Sequence, residues 1–197
     1  MRTTLSRSVA LVLLCASPLL AQDTAPHREG AAATIGLGIG SAGVTCDGCE
    51  SERKSAPTLM LRVGVAYAPD LILGAEVNAW SKSEVDEATG DEARVRIATI
   101  NLVAQWYPQL DGGFFVHGGI GVGTVRSDQL NDVTGTASSN TTALGYQLGA
   151  GWDFRVAPRV SVTPYATFFG TAAGKVKNSD QKLDGNVGQI GVGLTLH

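Results

Sequence analysis

Strict alternation of large apolar residues with glycine or small polar residues dominates this chain of 197 residues. The clearest segment is GGIGVG at 118–123, and the pattern recurs at 34–40 and 190–196. A period of two places successive side chains on opposite faces, so each segment predicts a β-strand with one apolar face. The other face is small and carries few charges. A soluble barrel carries charged residues on its outer surface. Because these strands have few charges on either face, we expect their apolar faces to contact lipid.

Eight such segments predict eight strands in one all-β domain, an antiparallel up-and-down transmembrane β-barrel. The strands are expected at about 31–43, 57–68, 71–82, 93–107, 113–127, 140–155, 159–172 and 185–197. Short connections with Pro, Asp and Gly, as tight turns favour, lie at 68–70, 108–112 and 156–158. Longer polar connections lie at about 44–56, 83–92, 128–139 and 173–184. This strict alternation of long and short connections predicts short periplasmic turns and longer extracellular loops.

The first residues of the chain predict export. Arg2 and Arg7 give a positive start, residues 9–16 are apolar, and Ala21 precedes the expected cleavage site. That order is typical of a secretory signal peptide, and the apolar run is shorter than the roughly 20 residues of a spanning helix. We therefore expect a signal peptide at 1–21, a short periplasmic leader at 22–30 and the barrel at 31–197.

The charge balance argues against a nucleic-acid partner. The chain has 15 Lys and Arg residues against 18 Asp and Glu residues, a formal net charge of −3. Nucleic-acid binding needs a basic patch or stripe, and this composition provides none.

Aromatic residues cluster beside the expected short turns, where they predict a girdle at the membrane–water interface. They are Tyr67, Trp106, Tyr107, Phe114, Phe115, Trp152 and Phe154. Trp80, Phe168 and Phe169 approach the other end and predict a sparser outer girdle. The alternative is that these rings form the core of a soluble sandwich. Their clustering beside one class of turn favours the membrane interpretation.

With this rhythm of strands, turns and aromatic residues, the chain resembles the small eight-stranded outer-membrane proteins. That group includes the OmpA-type transmembrane domain, OmpX and the opacity proteins, and the resemblance covers nearly all of the chain after the signal. It implies a location in the outer membrane, contact with outer-membrane lipid and lipopolysaccharide, and insertion by the barrel-insertion machinery. Such proteins usually end on an aromatic residue in phase with the apolar face. This chain departs from that pattern, because His197 is neither aromatic nor in phase with Leu194 and Leu196.

Strand parity places a set of polar side chains inside the barrel. Arg62 lies on the inward face of the second strand, and Glu76 and Asn78 lie on that of the third. A hairpin centred near Pro69 sets Arg62 almost opposite Glu76, and a charge in a narrow lumen needs a partner, so we expect an ion pair. The interior polar set is extended by Asn101, Gln105, His117, Gln147 and Asp153. It could form a gate or proton path, but the narrow lumen of an eight-stranded barrel favours a satisfied polar core.

Cys46 and Cys49, in the sequence CDGC, are the only cysteine pair after the expected signal. Thioredoxin-like chemistry would need the motif at the start of a helix, and zinc would need two further ligands. Export favours oxidation, so we expect a small disulfide in the first long loop. The sequence predicts no cofactor and no metal site.

Three functional classes can be compared. His27, His117 and His197 all lie away from the outer rim, where an enzyme acting on outer-leaflet lipid would need a Ser–His–acid set, so we expect no enzyme. Open porins have about 16–18 strands. We therefore expect a structural or surface-interaction protein, in which the loops could bind an extracellular ligand. A small-solute channel is the alternative.

Overall fold

A computed structural model of the chain describes residues 28–46, 53–85, 92–131, 135–172, 174–175 and 182–197. None of these segments forms a helix able to span a bilayer. The described strands are β1 (Ala31–Cys46), β2 (Lys54–Ala68), β3 (Leu71–Val85), β4 (Glu92–Trp106), β5 (Phe114–Asn131), β6 (Gly135–Trp152), β7 (Phe154–Ala157), β8 (Val160–Thr171), β9 (Gly174–Lys175) and β10 (Lys182–Leu196).

The strands form one closed antiparallel sheet. Their order is β7-β8-β6-β5-β4-β3-β2-β1-β10-β9, and an additional pairing of β8 with β10 closes the barrel. Strand β7 continues the pairing of β6 with β8 after a break at Asp153, and β9 continues the pairing of β8 with β10. Eight strand positions therefore surround the lumen, which confirms the predicted eight-stranded up-and-down barrel. Closure satisfies the backbone hydrogen bonds that an open sheet would leave unpaired in lipid.

The apolar faces of the strands point outward. Leu37, Leu102 and Ile190 are 68%, 74% and 70% exposed on the outside of the barrel. On β5, Ile120 and Val122 point outward while His117 is buried. The orientation follows the parity of the sequence, because a strand with one apolar face lowers its free energy by turning that face toward lipid.

At the long-loop end, the strands run further than the sequence pattern predicted. Strands β5 and β6 remain paired up to Asn131 and Gly135, inside the expected connection at 128–139. Strand β3 runs to Val85, and β2 begins at Lys54. The predicted boundaries were wrong here because the extended hairpins lack an outward apolar face. Backbone pairing between the strands continues beyond the membrane, where apolar and small residues no longer alternate as they do in the lipid-facing part.

The aromatic residues divide between the outside and the lumen. Tyr67, Trp106, Trp152 and Phe154 are exposed at the short-turn end, and Phe114 is half-buried. The girdle prediction was wrong for Tyr107 and Phe115, which are buried inside the barrel. At the other end Phe168 is exposed, but Trp80 and Phe169 also point inward. Nearness to a turn does not settle the face: Phe115 shares the parity of His117, and Trp80 that of Asn78.

Candidate functional site

The middle of the lumen holds a buried ion pair between β2 and β3. Arg62 and Glu76 are directly opposite in the strand register, and Nε of Arg62 donates a hydrogen bond to Oε2 of Glu76. Glu76 is fully buried, and Arg62 is 5% exposed. The other two guanidinium nitrogens lie 2.7 Å from Oε1 of Gln105 and 3.2 Å from Nε2 of His117. The structure thus brings together four of the residues that strand parity placed in the lumen.

A chain of side-chain amides extends from the second oxygen of Glu76. Nδ2 of Asn78 donates to Oε1 of Glu76 over 2.7 Å and to Oε1 of Gln147 over 3.1 Å. Nδ2 of Asn101 donates to the same Gln147 oxygen over 2.8 Å. Gln189 on β10 also joins, because its Nε2 donates to Oδ1 of Asn78 over 2.7 Å. Gln189 was missed at the sequence level, although it has the inward parity of Val187.

Asp153 lies apart from this group, at the short-turn end of the lumen. Its Oδ2 accepts a hydrogen bond from the hydroxyl of Tyr107 over 2.7 Å, and its Oδ1 accepts from Thr163 over 2.6 Å. The hydroxyl of Tyr107 in turn accepts from Nε2 of Gln105. Among the described residues, Asp153 is therefore connected with Arg62 through Tyr107 and Gln105, and no direct ion pair joins the two.

Hydroxyl groups line the lumen wall beside Asp153. Thr163 contacts Thr195 over 2.7 Å, and Thr195 contacts Thr34 over 2.9 Å. Oγ of Ser161 lies 2.9 Å from Nε2 of His197, whose pKa is lowered by burial while Asp153 opposes that shift. Because Ser161 is 1% exposed, this Ser–His contact is closed to a lipid substrate.

The short-turn end of the lumen is closed by a residue that sequence reasoning missed. Arg28, in the leader before β1, places its guanidinium carbon 3.5 Å from the centroid of the Tyr107 ring. It donates to the carbonyl oxygens of Leu110, over 3.0 Å, and Gly112, and it is 8% exposed. A lone arginine in a polar leader carries no pattern that predicts this insertion. We call Arg28, Ile72, Tyr107 and Phe115 the turn-end plug.

The long-loop end of the lumen is filled by apolar side chains. We call this cluster the loop-end plug; its buried members are Ala42, Ala56, Trp80, Ile97, Val125, Phe169 and Val187. Nε1 of Trp80 donates to the carbonyl oxygen of Gly40 over 3.0 Å, which satisfies the one polar atom of that ring. The described residues therefore fill the lumen in three layers, namely the turn-end plug, the polar network and the loop-end plug.

Glycines on the lumen wall make room for the large ring of Tyr165. A Cβ atom on Gly36 would lie 2.7 Å from Cε1 of Tyr165, and one on Gly191 would lie 2.6 Å from Cζ. Both distances are too short for van der Waals contact between carbon atoms. The alternation of glycine with large residues thus serves the packing of the lumen as well as the exposure of the apolar face.

Some predicted features lie outside the described residues. These are the expected signal peptide at 1–21, Cys49 and the side chain of Cys46, so the disulfide and the cleavage stay predictions. Across the described parts of the chain, no group of three or more His, Cys, Asp or Glu side chains is arranged to hold a metal ion.

Comparison with known proteins places this barrel in a family. Residues 8–196 match the family described as Outer membrane protein beta-barrel domain. Among solved structures, Ail, the attachment invasion locus protein of Yersinia pestis in complex with the heparin analogue sucrose octasulfate, is similar with a TM-score of 0.63 and 13% identity. The match covers 85% of this chain and 99% of Ail. Neisserial surface protein A is similar with a TM-score of 0.52 and 15% identity, over 85% of this chain and 99% of that one.

These identities are low enough that the structural likeness establishes the fold alone. No curated protein sequence matches the chain. The family match covers nearly the whole chain and agrees with the closed barrel and its lipid-facing apolar surface. The chain therefore belongs to the outer membrane protein beta-barrel domain family, and it is located in the outer membrane.

Proposed function

We propose that this protein is a sealed outer-membrane barrel with a structural or surface-interaction role, in which the extracellular loops bind the partner. The filled lumen is the observation that carries the proposal. A solute would have to displace the turn-end plug, the buried Arg62–Glu76 pair and the loop-end plug in succession. Because an interior of eight strands is just wide enough for side chains, a filled lumen leaves the outer surface as the place to act.

Two solved relatives with this fold support a surface role. Ail is an attachment invasion locus protein whose structure contains a heparin analogue, and Neisserial surface protein A is named for its surface location. Both are matched over 99% of their length. We infer by analogy that this chain also binds its partner at the cell surface, and that it does so without catalysis.

The strand extensions would hold the loops above the membrane. Lys54 and Glu84 form an exposed ion pair across β2 and β3, and Arg53 donates to Oδ1 of Asn186 over 2.8 Å. The first contact joins neighbouring strands, and the second reaches from the start of β2 across β1 to β10, so both tie strands together at the base of the loops. We propose that the barrel is a scaffold and that the connecting segments, which tolerate sequence change, determine the partner.

The test replaces each long loop in turn with a short Gly–Ser turn and measures binding of the exporting cells to immobilised matrix components and to other envelope components. Each variant is first checked for the heat-dependent gel mobility of a closed barrel. We expect at least one replacement to abolish binding while the mobility shift remains. If all four loop variants bind like the parent chain, the surface-interaction proposal is wrong.

A small-solute channel is the second candidate, and one observation favours it. Several lumen atoms have no hydrogen-bond partner among the described residues, including Oδ1 of Asn101, Nε2 of Gln147 and Oε1 of Gln189. Such buried polar atoms are commonly bonded to water. Planar-bilayer recording separates the candidates, because steady conductance of the parent chain would favour the channel and its absence the sealed barrel.

A further inference from the structure

Two arginines face outward at the same level of the barrel wall. Arg96 on β4 and Arg126 on β5 are directly opposite in the strand register. Their neighbours Ile97 and Val125 point into the lumen and are 0% and 1% exposed, so both guanidinium groups project outward. Ser81 and Asn140 flank the pair in the same cross-strand row, on β3 and β6 respectively. The row is therefore a short polar patch on the outer surface of the barrel.

The charges in this row are poorly balanced. Like charges directly opposite each other on neighbouring strands are destabilising. Nε of Arg126 donates to Oδ1 of Asp128 over 2.8 Å, whereas Arg96 has no ion-pair partner among the described residues. Arg94, in the next row, donates to Oγ of Ser83 over 2.8 Å and adds a third guanidinium opposite Asp128. An anion between Arg96 and Arg126 would convert the repulsion into binding.

The position of Arg96 along β4 gives its height in the membrane. Trp106, exposed at the short-turn end of the same strand, lies ten residues further along the chain. With a rise of about 3.4 Å per residue and a tilt of about 40°, this separation corresponds to about 26 Å along the membrane normal. The apolar band of an outer-membrane barrel is about 25 Å tall. Arg96 therefore lies at the level of the outer-leaflet headgroups.

The side chains below the arginine pair match a lipid from headgroup to tail. The next outward row toward the membrane centre has small residues, Ala79, Ala98, Thr124 and Thr142. The row below that one is apolar, with Val77, Ile100, Val122 and Leu144. A phosphorylated lipid presents its phosphate, its linking groups and its acyl chains in that order. The charged row, the row of small residues and the apolar row lie at the heights that would match these three parts.

We propose that Arg96 and Arg126 bind a phosphate group of an outer-leaflet lipid. Guanidinium groups bind phosphate with paired, charge-assisted hydrogen bonds, and two of them can share one phosphate. Ser81 and Asn140 supply further donors at the two ends of the row. The acyl chains of the same lipid lie against Ile100 and Val122.

The test measures binding of fluorescent diphosphoryl lipid A to the purified full-length chain in dodecyl maltoside micelles, with dephosphorylated lipid A as the comparison ligand. The variant carries Arg96→Gln and Arg126→Gln. The control carries Arg155→Gln and Arg159→Gln, which also remove two positive charges, but from exposed positions at the short-turn end. Heat-dependent gel mobility verifies the barrel in every sample. If the double variant fails to fold, Arg96→Gln alone carries the test, because it leaves the Arg126–Asp128 pair intact.

We expect the parent chain and the control to bind the diphosphoryl form about tenfold more tightly than the dephosphorylated form, and the double variant to lose that difference, since its charge-assisted hydrogen bonds are gone. Equal binding of both lipids by the parent chain would overturn the proposal. So would an equal loss in the control. A third arm adds a soluble sulfated polysaccharide: if it binds through the arginine pair while lipid A does not, the site serves a polysaccharide and the lipid assignment is wrong.

Discussion

Arg28 and Tyr107 stack at the short-turn end of the barrel, with the guanidinium carbon 3.5 Å from the ring centroid. The hydroxyl of Tyr107 donates to Asp153, and it also accepts from Gln105, a partner of Arg62. A residue of the leader is thus connected with the polar network at the middle of the lumen. Arg28 thus helps to close the short-turn end of the barrel in addition to preceding β1.

Replacement of Arg28 by alanine should lower the free energy of unfolding by about 2 kcal/mol, because the stacking on Tyr107 and two charge-assisted hydrogen bonds to backbone carbonyls are lost. Urea unfolding in lipid vesicles, followed by tryptophan fluorescence, measures the change. Arg159→Ala, at an exposed position, is the control and should change stability little. Equal stability of Arg28→Ala and the parent chain would show that the stacking contributes nothing.

Removal of one member of the Arg62–Glu76 pair should lower the free energy of unfolding more than Arg28→Ala does. Arg62→Ala leaves the fully buried Glu76 without its charged partner, and such a loss typically costs about 3–5 kcal/mol. Lys54→Ala breaks the exposed pair with Glu84 and should have a much smaller effect, since water screens exposed charges.

A double-mutant cycle with Arg62→Met and Glu76→Met then separates the pair from its surroundings. We expect the double variant to lose less free energy of unfolding than the two single variants lose together, because neither charge is left unpaired. Strict additivity of the two single losses would mean that the two side chains do not interact energetically.

Strand parity and turn position were enough to predict much of this site, but not all of it. A short turn near Pro69 together with a period of two places Arg62 opposite Glu76, and both facts are local in sequence. The loop-end plug was not predicted, and its members Trp80 and Phe169 were expected in the outer girdle. The sequence nevertheless contains a signal for it: Ile97 and Ile100 are an odd number of residues apart, so they cannot share a face. Ile97 is buried and Ile100 is 56% exposed.

The insertion of Arg28 follows no such rule. Its position depends on a contact between the residue at 28, outside the repeating strand pattern, and the turn that carries Leu110 and Gly112. The two hydrogen bonds join Arg28 to residues that are 82 and 84 positions away in the chain, and no periodic pattern encodes such contacts. Tyr107 differs, because it has the inward parity of Gln105 and is buried as that parity requires; it was assigned to the girdle only because it lies beside a short turn, just beyond the end of β4.

Two glycines on the barrel wall should respond in opposite ways to alanine. A Cβ atom on Gly121 would overlap the carbonyl oxygen of Ile100 and lie 2.7 Å from Cα of Asn101, so β4 and β5 would have to separate. A Cβ atom on Gly188 would meet nothing within 4 Å. In outer-membrane fractions, we expect Gly121→Ala to reduce the heat-modifiable form strongly and Gly188→Ala to leave it unchanged. A normal yield of Gly121→Ala would contradict the close approach of the two strands.

The expected disulfide between Cys46 and Cys49 can be tested without disturbing the barrel. The backbone of Cys46 ends β1 and pairs with Leu183 of β10, a contact that does not depend on the sulfur atom. Cys46→Ser with Cys49→Ser should therefore keep the heat-dependent mobility shift. In the parent chain, alkylation of the denatured protein should label these thiols only after reduction, because exported cysteine pairs oxidise. Labelling of both thiols before reduction would exclude the disulfide. With the disulfide present, limited proteolysis should cut the first long loop of the serine variant faster than that of the parent chain, since the crosslink restricts the local opening that a protease needs.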